Sequence, residues 1–324
     1  MIEINHLVKK YGDHVAVDDL NLKVEPGKIY GFLGPNGAGK STTMNIITGY
    51  IGATSGEVLI NGHDIFKEPE EAKKCIGYLP ELPPLYMDMT VLEYLQFVAE
   101  LKLIAKEERE EAIARVMKLA RIEDMGGRLI KNLSKGYKQR VGLAQAIISL
   151  PEIIILDEPT VGLDPKQIIE MRDLIRELGK DHTVILSSHI LTEVAEVCDY
   201  VFIISHGKLV ASDYVENLEN QSDSGMTLTV TAKGEKDTMI RVVKGMQGLK
   251  DYRVVEKEGT EEGAVTMELD LEKDVDLREQ LSMELAKNSM PVLGMSVEQN
   301  SLEDVFLALT GESGKEEEAN VFGL

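Results

Sequence analysis

The chain has 324 residues and is 43% hydrophobic, enough for a substantial core and for two domains. Its formal net charge is −21; residues 213–324 hold 25 acidic and 11 basic side chains, net −14, which leaves −7 for the rest, and so acidic a protein is a poor direct partner for nucleic acid or an anionic membrane surface. No apolar run approaches the ~18 residues that span a bilayer, the first residues lack a secretory pattern, and the two distant cysteines, Cys75 and Cys198, read as reduced core thiols in the cytosol.

Met1 to Val24 reads as strands, with Ile2/Ile4, then Val15/Val17, then Leu20/Leu22/Val24 near period two. After the Pro26-Gly27 turn comes an apolar strand, Ile29-Tyr30-Gly31-Phe32-Leu33, then Gly34-Pro35-Asn36-Gly37-Ala38-Gly39-Lys40-Ser41, then a helical run from Thr42 to Thr48. The octet fits G-x-x-x-x-G-K-[S/T], the phosphate-cradling loop. Its glycines let backbone N–H groups face a triphosphate. Lys40 can reach the β- and γ-phosphates, the Ser41 hydroxyl can hold Mg²⁺, and the helix N-terminus favours the anion.

Strands follow at 56–60, closed by the Asn61-Gly62 turn, and at 76–79, ending at Pro80. From Thr90 to Gln145 the period turns helical, predicting a helical insertion in an α/β core. Leu133-Ser134-Lys135-Gly136-Tyr137-Lys138-Gln139-Arg140 opens the last of these helices; taken alone it is a serine cap. Ile153 to Leu156 is a continuous apolar strand ending in Asp157 and Glu158. An Asp at such a strand tip can hold Mg²⁺, and a carboxylate beside it can polarise a water for attack on a γ-phosphate. Strands at 183–186 and 200–204 complete a parallel sheet, and His189 follows the first of these at the strand end, where ligands bind.

Residues 216–225 read as a linker. A strand (226–232), a helix (235–246), strands near 252–256 and 264–271, a helix (276–288) and a strand (291–298) predict a small ferredoxin-like α+β domain within 226–310. Ser301 opens a capped helix. The acidic tail, 311–324, reads as disordered.

Taken together, residues 1–215 resemble the nucleotide-binding subunit of an ATP-binding cassette (ABC) transporter. The phosphate loop at 34–42, the signature-like 133–140, the Asp157-Glu158 strand, Gly162-Leu163-Asp164 and Ser188-His189 occur in the family's order. The signature sequence and the acidic C-terminal domain look like the subgroup serving type-2 exporters, including gliding-motility-associated ones. The resemblance implies a P-loop NTPase core with an antiparallel β subdomain and a helical subdomain over about 82–150. It implies a head-to-tail dimer sandwiching two ATP molecules, in which Ser134 and Gly136 of one copy contact the γ-phosphate held by Lys40 of the other. It further implies that Asp157 serves Mg²⁺ through water, Glu158 is the general base, His189 senses the γ-phosphate, Asp164 couples the two sites and Tyr11 stacks on adenine. A separate membrane permease would dock on the block around 82–125, holding the subunit at the inner face of the cell membrane.

Two positions depart from the family. Lys135 and Tyr137 replace a Gly and a Gln of the usual signature. Glu81 stands where a Gln is usual; a carboxylate can still ligand Mg²⁺, but it adds negative charge near the γ-phosphate. Two other functions compete: a soluble ABC ATPase acting on ribosomes or DNA, and a regulatory module that scarcely hydrolyses. One phosphate loop, no long heptad run and net negative charge count against the first; a steady-state ATPase assay separates the second.

Overall fold

Buried Ile2, Ile4 and Leu7 fix one face of β1 (Ile2–Tyr11), which turns at Gly12 (φ +59°) into β2 (His14–Val24). The computed structural model describes residues 1–221, 227–255, 263–272, 275–298 and 302–310. The two apolar runs expected as separate strands within 15–24 form the single strand β2. Its continuity survives because Asp19 (φ +52°) and His6 (φ +50°) take up the irregular register, with His6 Nδ1 2.8 Å from Asp19 Oδ1. With β4 (Ser55–Ile60) and the short β5 (His63–Asp64) these strands make an antiparallel sheet in the order β2-β1-β4-β5.

The second sheet has six strands: β3 (Ile29–Leu33), β6 (Ile76–Leu79), β7 (Ile153–Asp157), β8 (Thr183–Ser187), β9 (Tyr200–Ser205) and β10 (Lys208–Tyr214). Their order is β10-β9-β3-β8-β7-β6, all pairs parallel except β10–β9. Every residue of β3, β7 and β8 is buried, the composition expected of strands covered on both faces. Strand β10, absent from the sequence reading, alternates exposed and half-buried residues at the sheet edge. Phe32 and Phe202 meet at 5.2 Å and Tyr30 stacks on Phe202 at 5.6 Å; this aromatic cluster belongs to one core that also takes in Ile2, Leu20, Met44 and Ile60.

Helix α1 (Lys40–Ile47) follows β3, and α2 (Pro69–Lys74) precedes β6. The helical block resolves into α3 (Val91–Leu101), α4 (Arg109–Leu119), two 3₁₀ turns and α5 (Lys135–Ile147). Helix α3 starts where it does because Thr90 and Glu93 satisfy each other's backbone N–H in a capping box. Asp164 and Gln167 do the same for α6 (Pro165–Leu178), which has Pro165 at its first turn. Helix α7 (Leu191–Val197) packs on β3. Among the described residues no helix is long and apolar enough to cross a membrane. Cys198 is buried, and burial pushes its thiol up; Cys75 is half-buried rather than in the core.

These elements lie in one compact unit, Met1–Val215, to which Leu309 and Thr310 also belong; the second is Glu216–Ala308. The stretch expected as a linker is helical through Gln221, in α8 (Val215–Gln221), because Val215 and Leu218, one helical turn apart, are both buried. The rest of that expected linker, Ser301 and the tail expected to be disordered lie outside the described residues. The second unit holds β11 (Thr227–Lys233), α9 (Lys236–Lys244), β12 (Leu249–Val255), β13 (Ala264–Leu271), α10 (Arg278–Lys287) and β14 (Val292–Glu298), followed by α11 (Leu302–Thr310). Its sheet order, β12-β13-β11-β14 with every pair antiparallel, is the expected ferredoxin-like arrangement. Leu228, Val230, Met267 and Leu269 pack against Met239, Val243 and Leu281 of α9 and α10.

Candidate functional site

The loop 34–39 turns directly into α1, which begins at Lys40 rather than at Thr42, so Lys40 and Ser41 belong to the first helical turn. Gly39 caps the helix at φ +105°, ψ 3°, and Gly37 sits at φ +82°. The first helix-type bond is Thr43 N–H to Gly39 O at 2.9 Å, so the four N–H groups from Gly39 to Thr42 have no acceptor within the helix. Such donors at a helix N-terminus suit an anion.

Three backbones close on one another behind this loop. Gly207 N–H donates to Ala38 O at 2.9 Å, and Asp18 N–H donates to Gly207 O at 2.9 Å. A Cβ at Gly39 would stand 2.5 Å from Ala16 O, and one at Gly207 2.9 Å from the same atom. Gly39→Ala therefore combines a strained φ with a clash against main chain that has nowhere to move. We expect it to weaken ATP binding at least about tenfold, one lost charge-assisted bond or more; calorimetric titration checks this, and wild-type affinity would refute it.

The lysine itself is 6% exposed, and its Nζ donates to Gly34 O at 2.6 Å and Pro35 O at 3.3 Å. Burial pushes the ammonium pKa down, and the carboxylates of Glu158 and Asp157 pull it the other way. In front of it lies a cleft of about 470 Å³ lined by Tyr11, His14, Ala16, Asn36, Gly37, Ala38, Gly39, Lys40, Ser41, Thr42, Glu81, Glu158, Val161 and His189. Tyr11, half exposed at the β1–β2 turn, has the Lys9 ammonium 5.0 Å from its ring centroid.

Strands β7 and β8 deliver the acidic side. Ser187 Oγ donates to Asp157 Oδ1 at 2.6 Å and accepts from Glu158 N–H at 3.0 Å. Glu158 is buried and has φ +49°, an uncommon conformation for a carboxylate residue. His189 Nδ1 lies 2.8 Å from Glu158 Oε2. An ionised carboxylate can only accept, so Nδ1–H is the donor, and Glu158 keeps a second oxygen for another proton. Asp157 lines an adjoining pocket of about 770 Å³ that Ser41 and Glu81 also border.

Oxygen ligands of this kind suit Mg²⁺. Among the described residues no group of three His, Cys, Asp or Glu side chains is arranged to hold a metal alone.

Not every residue singled out by sequence meets here. Gly34 and Pro35 serve through their carbonyls, on Lys40. Ser134, Gly136 and Asp164 line neither pocket. Ser134 caps α5, accepting from Tyr137 N–H at 3.4 Å, and Asp164 caps α6, accepting from Gln167 N–H at 2.9 Å. Gly136 is buried beneath Gln167, which a Cβ there would strike at 2.6 Å. The Lys135 side chain lies over Gly162. The carbonyl of Glu81 accepts from the buried Gln139 Nε2 at 2.9 Å, which ties that segment to α5. Ser187 and the Ala16–Gly207 contact carry no sequence signal beyond a serine two residues before His189 at a strand tip.

The ABC transporter family profile matches residues 17–161. The bacitracin transport ATP-binding protein of Bacillus licheniformis is 34% identical over 313 residues, 96% of this chain and 97% of that protein. The lantibiotic transport ATP-binding protein of Streptococcus pyogenes is 35% identical over 221 residues, 68% of this chain and 93% of that one. Among solved structures, a dimeric post-hydrolysis state of an ATP-binding cassette bound to ADP and Pi superposes with a TM-score of 0.60 at 27% identity, covering 66% of this chain and 98% of its own.

Proposed function

This chain belongs to the ATP-binding subunits of ABC transporters and is an ATPase of that family, and on that premise we propose that it works as one of a pair driving a separate membrane permease in the export direction. What supports pairing is an incompleteness in the single chain. The phosphate loop, Glu158 and His189 share one cleft, while Ser134 and Gly136 border neither it nor the pocket beside it. A second copy, turned head to tail, would bring its α5 N-terminus to the open side of the nucleotide. The likeness to a dimeric cassette supports the same arrangement. Export is supported by the relatives named for bacitracin and lantibiotic transport. Leu82, Tyr86, Met87 and Leu92 leave apolar surface exposed on the helical block, which favours it as the permease face and leaves the subunit at the membrane's inner side.

In this reading Tyr11 stacks on the adenine and the N–H groups of the loop hold the phosphates. Lys40 leaves the carbonyls of Gly34 and Pro35 to bind the β- and γ-phosphates. Ser41, Asp157 and Glu81 would hold Mg²⁺, which supplies charge neutralisation at the phosphate oxygens. Glu158 takes the proton of the attacking water, oriented by the His189 N–H on its other oxygen. Water attacks phosphorus in line, ADP leaves, and no side chain bonds to phosphate.

The test separates binding from pairing. Wild type should sediment as a dimer with ATP and Mg²⁺ and as a monomer with ADP. Ser134→Glu, which sets a carboxylate against the partner's γ-phosphate, should bind ATP within about threefold of wild type yet lose turnover by about tenfold or more, the cost of one misplaced charge. A Ser134→Glu protein that pairs and turns over normally would end the proposal.

A further inference from the structure

Two chain segments meet at the acidic wall of the cleft: the turn 158–163 after β7 and the segment 188–193 that leads into α7. One link between them is Glu158–His189, at the cleft surface. A second lies beneath it. Thr160 Oγ1 donates to Glu193 Oε2 at 2.6 Å, and the two residues are 4% and 7% exposed. Thr160 stands two residues beyond Glu158, inside a turn closed by Val161 N–H on Glu158 O and Leu163 N–H on Thr160 O. Glu193 stands four residues beyond His189, in the first turn of α7.

A buried carboxylate forfeits its solvation, and a neutral hydroxyl returns only part of it. An apolar side chain of similar volume would fill this space at lower cost, so stability is a poor reason for Glu193. Geometry gives a better one. Glu158 is held at φ +49°, and a strained residue keeps its conformation only when its surroundings over-determine it. Relaxing the 158–163 turn would swing the Glu158 carboxylate away from His189.

We propose that Thr160 and Glu193 form a positioning pair that clamps the Glu158 turn to the His189 segment, so that hydrolysis depends on it and ATP binding does not. The proposal rests on the assignment of Glu158 and His189 given above. Neither Thr160 nor Glu193 lines the nucleotide cleft. Steady-state ATPase measurements on the full chain test it. Thr160→Val should lower kcat roughly ten- to a hundredfold, the scale of an ångström-sized misplacement, with KM for ATP changed less than about twofold. Glu193→Gln, whose amide oxygen still accepts from Thr160, should recover to within about threefold of wild type.

A diagnostic double variant completes the test. If the clamp acts through His189, Thr160→Val added to His189→Ala should lower kcat no further. A product of the two single effects, or a loss in kcat matched by a rise in KM, would make the pair merely structural and overturn the proposal. Thr160→Val at wild-type kcat beside an inactive Glu158→Gln would overturn the clamp alone. Glu158→Gln at wild-type kcat would overturn the assignment beneath it. Should Thr160→Val fail to fold, Glu193→Ala must show the kcat loss while Thr160→Ser, which retains the hydroxyl, must not.

Discussion

Lys40→Ala will lower ATP affinity by about a hundredfold and abolish turnover at ordinary ATP concentrations. A charge-assisted hydrogen bond is worth about 1.5–3 kcal/mol. Two of them, to the β- and γ-phosphates, would reach about 3–6 kcal/mol. The lower end applies here because the ammonium is already committed: it donates to Gly34 O and Pro35 O, and binding exchanges those bonds for new ones. About 3 kcal/mol is roughly a hundredfold in Kd. The substitution also strips two carbonyls of their shared donor and loosens the loop, which adds to the loss. Titration with a fluorescent ATP analogue reads the effect. Affinity within threefold of wild type would mean that Lys40 does not hold phosphate.

The second large effect falls on chemistry instead of binding. Glu158→Gln should reduce kcat by about 10²–10⁴, the usual contribution of a positioned base, and leave the protein able to bind ATP. The glutamine keeps the side-chain length, and its amide oxygen can still accept from His189 Nδ1, which in the native protein lies 2.8 Å from the carboxylate. What it cannot do is take a proton from water. It also removes a negative charge from the wall facing the γ-phosphate, so the ATP-bound pair should persist. Phosphate release measures the first consequence and sedimentation with ATP the second. Wild-type turnover would assign the base elsewhere.

The parts of this molecule legible in the sequence are those whose physics is local. The phosphate loop can be read because Gly37 and Gly39 must reach positive φ within a few residues of Lys40, and the flanking strand and helix are contiguous with it. The strand–helix alternation gave the parallel sheet, and the same logic gave the βαββαβ order of the second unit. The sequence pattern places the start of α1 two residues late because a left-handed Gly39 caps the helix without a side-chain signal. Helix α8 was hidden by its Asn, Glu and Gln content, which composition alone reads as loop; two buried residues a turn apart hold it. Edge strand β10 offers only the three-residue apolar run Leu209-Val210-Ala211, and none of its residues is fully buried.

The site divides in the same way. Tyr11, Glu81, Glu158 and His189 were named from motif order and share one cleft with the loop. The contacts that set their geometry join residues about thirty positions apart: Ser187 to Asp157 and Glu158, and Glu193 to Thr160. No period or spacing encodes such pairs; they exist only once β7 and β8 lie side by side.

The triple closure of Ala16, Gly39 and Gly207 has one more consequence. It ties the strand after Tyr11 to the phosphate loop through main-chain atoms alone, so side-chain changes leave the spacing between that turn and the loop in place. On the proposed pose, variants at Tyr11 should alter how firmly a nucleobase is gripped, or which base is preferred. They should leave the loop's grip on the phosphates, in ATP and in ADP alike, unchanged.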